Sequence, residues 1–181
     1  LLLEGPTNDF KNILNRKVIE TISLAEYQRF LEGLPRALQD ALSKRWGKPE
    51  ADPFVLLDED GSGFFSITAT RLGNVCVCLQ PARGYNIDPK ATYHDPDLVP
   101  PHNYLAFYLW LRLEFKADAI CHLGKHGNLE WLPGKALALS EECWPEAALG
   151  TLPNIYPFIV NDPGEGTQAK RRTSAVIIDH L

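Results

Sequence analysis

The sequence predicts an α/β protein: a mostly parallel sheet with flanking helices, entered through a helical N-terminal segment. Three observations carry this expectation. Residues 1–50 place their apolar side chains at helical spacing. From Phe54 onward, short apolar and β-branched runs bounded by turn residues alternate with helical patterns. That strand–helix–strand order recurs three times, the pattern of β-α-β crossovers and so of parallel strands. The division expected from this change of period is a helical segment at 1–50, part of a larger neighbouring domain, and an α/β domain at 51–181.

In the helical segment, Ser23 and Glu26 form a capping box ahead of the stripe Leu24, Tyr27, Phe30, Leu31 and Leu34. Pro35 cannot sit inside that helix but suits the first turn of a second one, with stripe Leu38, Leu42 and Trp46 and a stop at Gly47. Lys48–Pro53 reads as a linker. Phe64–Thr70 and Val75–Gln80 read as strands joined by the turn Leu72-Gly73-Asn74, and a Pro-rich loop runs from Pro81 to Pro101. His102–Lys116 is apolar on nearly every side, which predicts a buried helix. A short buried strand follows at Asp118–Leu123, then a helix at Pro145–Leu149, a strand at Ile155–Val160, a helix at Gly164–Arg172 and a strand at Ser174–Asp179.

The composition is that of an ordinary globular chain: 181 residues, 45% apolar, 23% charged, with 18 basic and 23 acidic side chains and a net charge of −5. That balance argues against nucleic-acid and anionic-membrane partners, which call for a basic face. The longest apolar run, Leu105–Leu113, is far short of the roughly 20 residues that span a bilayer. Four cysteines in this length make no disulfide scaffold. Cys76 and Cys78 are expected on opposite faces of their strand, unable to bond each other. A reduced, cytoplasmic setting follows as the expectation. The chain contains no methionine, opens Leu1-Leu2-Leu3 and stops in an apolar run, and is expected to be a piece of a longer polypeptide.

In an open parallel sheet, ligands bind beyond the carboxyl ends of the strands, where loops and helix N-termini gather. Three loops qualify: Gln80–Tyr85, His122–Lys135, and Asn161–Thr167 leading into Lys170, Arg171 and Arg172. The middle loop holds His122, His126 and Glu130, two imidazoles and a carboxylate able to accept protons or to ligate a borderline divalent ion. The alternative is a satisfied strand-end histidine at 122 with surface residues at 126 and 130. Neither His is followed by the Glu of a His-Glu-x-x-His zinc site. The stretch Gly127–Lys135 has the wrong spacing for a phosphate-binding P-loop and Ala136 in place of its Ser or Thr. Asp58–Gly63 mimics the start of a calcium loop but lacks the closing glutamate, so a polar turn is expected there. In the third loop, Gly164 and Gly166 admit close backbone approach, and Lys170–Arg172 either add charge for an anion or complement the helix dipole.

The ordered series His-Leu-Gly-Lys-His-Gly-Asn-Leu-Glu-Trp-Leu-Pro-Gly-Lys (His122–Lys135), Leu-Pro-Asn-Ile-Tyr (Leu152–Tyr156), Asn-Asp-Pro-Gly-Glu (Asn161–Glu165) and Ala-Lys-Arg-Arg (Ala169–Arg172) resembles the large-subunit family of class I metal chelatases, the CobN/magnesium chelatase H family. Its cobalt-inserting branch is the more similar. In the magnesium branch Phe is expected more often at the place of Trp131, and Asn-Asn-Pro-Ser at 161–164. The resemblance covers Phe54–Leu181 well and the helical start loosely.

That resemblance implies ATP-dependent insertion of Co²⁺ into hydrogenobyrinic acid a,c-diamide, in aerobic cobalamin synthesis. It implies ATP (with Mg²⁺) hydrolysed by separate AAA+ partner subunits and not bound by this chain. It also implies catalytic and transiently metal-binding roles for Glu130, His122 and His126. Side-arm carboxylates of the substrate would meet Arg83, Lys125, Lys135, Lys170, Arg171 and Arg172, and its flat ring would meet Tyr85 and Trp131. Gln80, Asn161 and Asp162 complete the expected substrate-binding set. The alternatives are magnesium insertion into protoporphyrin IX by an H-type subunit, a non-catalytic tetrapyrrole-binding module, and a metal hydrolase built on the two histidines and Glu130.

Overall fold

The computed structural model describes residues 8–9, 17–85, 95–124, 127–137, 139–157 and 163–178. The chain forms two compact units: Leu1–Asp95 with Val99–Lys116, and Pro96–Leu98 with Ala117–Leu181.

The first unit contains strand β1 (Glu20–Ser23), helices α1 (Leu24–Glu32) and α2 (Arg36–Trp46), strands β2 (Val55–Leu57), β3 (Gly63–Ile67), β4 (Ala69–Leu72) and β5 (Val75–Cys78), and helix α3 (His102–Leu113). The Ser23 hydroxyl accepts the Glu26 N–H at 3.2 Å, so the predicted cap starts α1. Residues 20–23, expected as helix, are instead a strand. Ile22 stands opposite Phe65 in an antiparallel pairing and is 1% exposed, so a buried cross-strand contact overrides local propensity. The sheet order is β1-β3-β2, and the Asp58–Ser62 connection is the expected polar turn, with the Ser62 hydroxyl donating to Asp58 and Asp60.

The run Phe64–Thr70 divides at Thr68 into β3 and β4, which belong to different sheets. β4 and β5 form their own antiparallel hairpin, with Gly73 at φ 64° in its turn. The first of the three expected crossovers is therefore absent, because Val75–Cys78 pairs with the strand before it. Cys76 and Cys78 also share a face, as positions i and i+2 on a strand must; their sulfurs are 3.4 Å apart and both thiols are free. Helix α3 is the predicted buried helix: every residue from His102 to Leu111 is buried, and Tyr104, Tyr108 and Trp110 are fully enclosed.

The stretch expected as a linker carries a buried anchor. Asp52 is 5% exposed; its Oδ1 accepts the Phe54 N–H at 2.8 Å, and its Oδ2 accepts the Asn103 N–H at 2.9 Å and the Tyr85 hydroxyl. Burial nevertheless pushes its carboxyl up to about 6, against the lowering effect of these three donors. His102 is equally enclosed, its Nδ1 accepting from Tyr27 Oη at 2.9 Å while Nε2 donates to the Gly47 carbonyl at 3.1 Å. Neither residue stands out in the sequence.

The second unit holds the parallel sheet. Strands β6 (Ile120–Cys121), β7 (Asn154–Pro157) and β8 (Val176–Ile178) lie in that order, all parallel. Helix α4 (Trp144–Leu149) lies in the connection from β6 to β7, and helix α5 (Pro163–Thr173) in that from β7 to β8. This is the predicted α/β architecture, with two parallel crossovers among the described residues. Tyr156, Ala169 and Ala175 form a small core where α5 meets the sheet. No described helix is long and apolar enough to cross a membrane.

Candidate functional site

The second unit gathers polar side chains along β7 and in the loop that begins with His122, just past the carboxyl end of β6. His122 follows β6 directly. Its backbone N–H continues the ladder to the Ile155 carbonyl at 2.8 Å, and its ring Nδ1 bonds Asn154 Oδ1 at 2.8 Å. Burial holds this imidazole below the ordinary histidine range, partly offset by the Asn154 bond, so it is neutral near pH 7. Asn154 is buried, and its amide Nδ2 donates to Thr173 Oγ1 at 2.9 Å.

Glu130 lies in the 3₁₀ turn Leu129–Trp131 and is only 4% exposed. Its carboxylate rests directly on the backbone of Gly127. A Cβ there would stand 2.6 Å from Oε2 and 2.8 Å from Cδ of Glu130, and nearer still to Oε1. Only glycine allows this approach. The Gly127 N–H donates to Tyr156 Oη at 3.1 Å, and that hydroxyl donates to the Gly124 carbonyl at 3.4 Å, so one buried phenol pins both sides of the loop. Tyr156 and Asn154 share a face of β7 by alternation. One strand face thus holds the Glu130 loop through Tyr156 and the His122 ring through Asn154.

Past Glu130 the loop is fixed from α5. Arg172 Nη2 donates to the Leu132 carbonyl at 2.7 Å. Burial lowers the Arg172 pKa, while nearby Cys143 and Glu130 favour its charge. Its Nε–H is buried with no hydrogen-bond partner among the described residues. Burial alone would raise the Cys143 thiol, but the backbone N–H groups of Ser140 and Lys135 hold it below the usual thiol range.

The predicted site residues therefore divide. His122 and Glu130 lie in one unit, attached to one strand face. Lys135, Lys170 and Arg171 are exposed, and Trp131 is 39% exposed. Arg172, expected to meet substrate carboxylates, is instead turned inward as a tether of the Glu130 loop. Arg83 and Tyr85 are buried in the first unit, with the Tyr85 ring edge-on to Trp46 at 5.0 Å, so neither offers the open cation or flat face expected of it. Gln80 is half-buried there, its amide donating to Tyr108 Oη at 2.7 Å and Tyr104 Oη at 3.2 Å. Lys125, His126, Asn161 and Asp162 lie outside the described residues. Among the described residues no three His, Cys, Asp or Glu side chains gather closely enough to hold a metal ion.

Sequence reasoning missed Asn154, Tyr156, Thr173 and Gly127 as individual contributors. The usable signal was the alternation of Asn154 and Tyr156, polar side chains on one face of a strand in a buried sheet.

The CobN/Magnesium Chelatase family profile matches residues 1–181. The chain is 64% identical over 180 residues to the aerobic cobaltochelatase subunit CobN of Sinorhizobium sp, covering 99% of this chain and 14% of that protein. It is 46% identical over 122 residues to the magnesium-chelatase H subunit of Rhodobacter capsulatus, covering 67% of this chain and 10% of that protein. Among solved structures, the catalytic subunit of cobaltochelatase from Mycobacterium tuberculosis superposes with a TM-score of 0.80 at 53% identity, over 89% of this chain and 14% of that one. The chain thus spans about 14% of the length of the cobaltochelatase relatives it matches. An identity this high over nearly the whole chain, on the same fold, leads to one conclusion: this chain belongs to the CobN/magnesium chelatase family.

Proposed function

We propose that this chain is part of the tetrapyrrole- and metal-binding large subunit of an ATP-dependent cobaltochelatase. Its reaction is insertion of Co²⁺ into hydrogenobyrinic acid a,c-diamide, in the aerobic route to cobalamin. The observation that carries the proposal is the buried Glu130 carboxylate, seated on Gly127 in a loop held by Tyr156 and Arg172.

Insertion needs three things from protein: a base for the two ring N–H protons, ligands that strip water from the ion without trapping it, and a rim that holds the side arms. Glu130 is a base held in place with its carboxylate out of bulk water. There a proton transfer to a positioned carboxylate is worth about 10²–10⁴-fold in rate. Neutral His122 suits Co²⁺, and with Glu130 and His126 it makes an incomplete ligand set from which the ion can leave. Exposed Lys135, Lys170 and Arg171 supply charge for side-arm carboxylates, and Trp131 a ring for the macrocycle. Lys125, Asn161 and Asp162 join this rim in the proposal. In this proposal ATP is hydrolysed by separate AAA+ partner subunits, in the cytoplasm.

The 46% identity to a magnesium-chelatase relative favours one second reading, Mg²⁺ insertion into a porphyrin. The deciding experiment supplies the full-length subunit and its ATPase partners with each ion and each tetrapyrrole in competition. Co²⁺ chelation of the corrinoid precursor supports the proposal; preference for Mg²⁺ and protoporphyrin IX supports the second reading. Tight pigment binding without turnover in the complete assembly would identify a non-catalytic binding module.

A further inference from the structure

The bonds around His122 have a direction that chemistry forces. The Thr173 hydroxyl has one proton, and it is donated to the Ala169 carbonyl at 2.8 Å, one turn back along α5. Toward Asn154 this oxygen can therefore only accept. The amide nitrogen of Asn154 must face Thr173, as it does at 2.9 Å, and its oxygen must then face His122. An amide oxygen cannot donate, so the bond at 2.8 Å requires the proton on Nδ1 of His122. A neutral imidazole with Nδ1 protonated has its lone pair on Nε2.

We propose that Asn154 and Thr173 are positioning residues. Through the chain Ala169 carbonyl–Thr173–Asn154–His122 they fix the imidazole as the Nδ1–H tautomer and make Nε2 the nitrogen that receives the incoming Co²⁺ ion. Asn154 and Thr173 are 5% and 4% exposed. The Thr173 and Asn154 members of the relay are thus shielded from water, which does not compete for their donors. The residue is tied to β7 twice, its backbone N–H bonding the Ile155 carbonyl and its ring bonding Asn154, so the Asn154 bond orients an imidazole whose main chain is already held. This inference rests on the chelatase reading for the identity of the ion.

The test uses the full-length subunit and two readouts: Co²⁺ affinity by calorimetry, which needs no turnover, and KM for Co²⁺ in the complete assembly. Thr173→Val removes the acceptor that orients the amide, and should weaken Co²⁺ affinity and raise KM about 10-fold, the lower range for loss of a group that orients a metal-binding histidine. Tetrapyrrole affinity should not change. Thr173→Ser should stay within about twofold of wild type, since it keeps the hydroxyl. Asn154→Asp should rescue Thr173→Val, because a carboxylate can only accept and so restores the Nδ1–H tautomer without help from α5. In a His122→Ala background, Thr173→Val should cost nothing further. The inference is overturned if wild type has no measurable Co²⁺ affinity, if Thr173→Val binds Co²⁺ normally, or if it loses as much without His122 as with it. Should the calorimetric pattern hold while the assembly inserts no metal, the relay stands and the cobaltochelatase reading fails.

Discussion

Gly127→Ala perturbs the proposed base without touching it. The new methyl carbon would lie 2.6 Å from Glu130 Oε2 and nearer still to Oε1, where ordinary contact begins at 3.4 Å, so the carboxylate must withdraw by at least about 0.8 Å. What yields is the end of a side chain rather than backbone. The cost to folding is therefore that of modest overpacking, about 1–3 kcal/mol. The cost to chemistry is larger, because a misplacement of about 1 Å can cost about 10²-fold in rate when a reacting group must sit in a fixed geometry. The assay is single-turnover metal insertion by the full-length subunit with its ATPase partners, alongside tetrapyrrole affinity by fluorescence quenching and the thermal midpoint. The expected result is native pigment affinity, a small loss of thermal stability and an insertion rate down about 100-fold. Insertion at the wild-type rate by a folded Gly127→Ala variant would show that Glu130 does its work from elsewhere, or does none.

Two further outcomes follow from buried groups. Tyr156→Phe removes the phenol that holds Gly124 and Gly127, leaving the Gly127 N–H without its bond; denaturant unfolding should show a loss of about 1–3 kcal/mol, and insertion should fall with it. For Asp52 the folded carboxyl sits at about 6, above its ordinary 3.8, so the neutral form is favoured by folding. Its stabilising contribution is complete below pH 3.8 and is lost as pH rises through about 6. Between pH 4 and 7 the wild type should therefore lose about 2 kcal/mol relative to Asp52→Asn in parallel unfolding curves, and curves of unchanged separation would show that the carboxyl is not held neutral.

The parts of this fold that could be read from the sequence are those set by local patterns. Ser23 with Glu26, Pro35 and Gly47 bound α1 and α2 because caps and breakers act over one turn. The all-round apolarity of His102–Leu111 signals burial whatever the partner. Tertiary pairing is where reading failed. Nothing within Glu20–Ser23 says that Ile22 will face Phe65, and nothing in Phe64–Thr70 says that the strand changes sheets at Thr68. The Val75–Cys78 run looks like the first strand of a crossover until its hairpin partner is seen. For the site, the loop His122–Lys135 stood out by composition. The side chains that hold it, Asn154, Tyr156 and Thr173, are common residue types whose role exists only once β7 and α5 lie beside that loop. Sequence also gave no sign that Arg83 and Arg172 are buried, because a guanidinium that bonds backbone carbonyls looks the same in sequence as one that greets a ligand.

The proposed reaction turns on Glu130 as the acceptor of the ring protons. Pre-steady-state Co²⁺ insertion by full-length Glu130→Gln isolates that step, since glutamine keeps the shape of the side chain and removes its basicity. Pigment binding and partner ATPase activity are followed in the same sample. Native pigment affinity, continued ATP hydrolysis and insertion slowed by at least about 10²-fold are expected. Insertion by Glu130→Gln at close to the wild-type rate would mean that another group takes the protons.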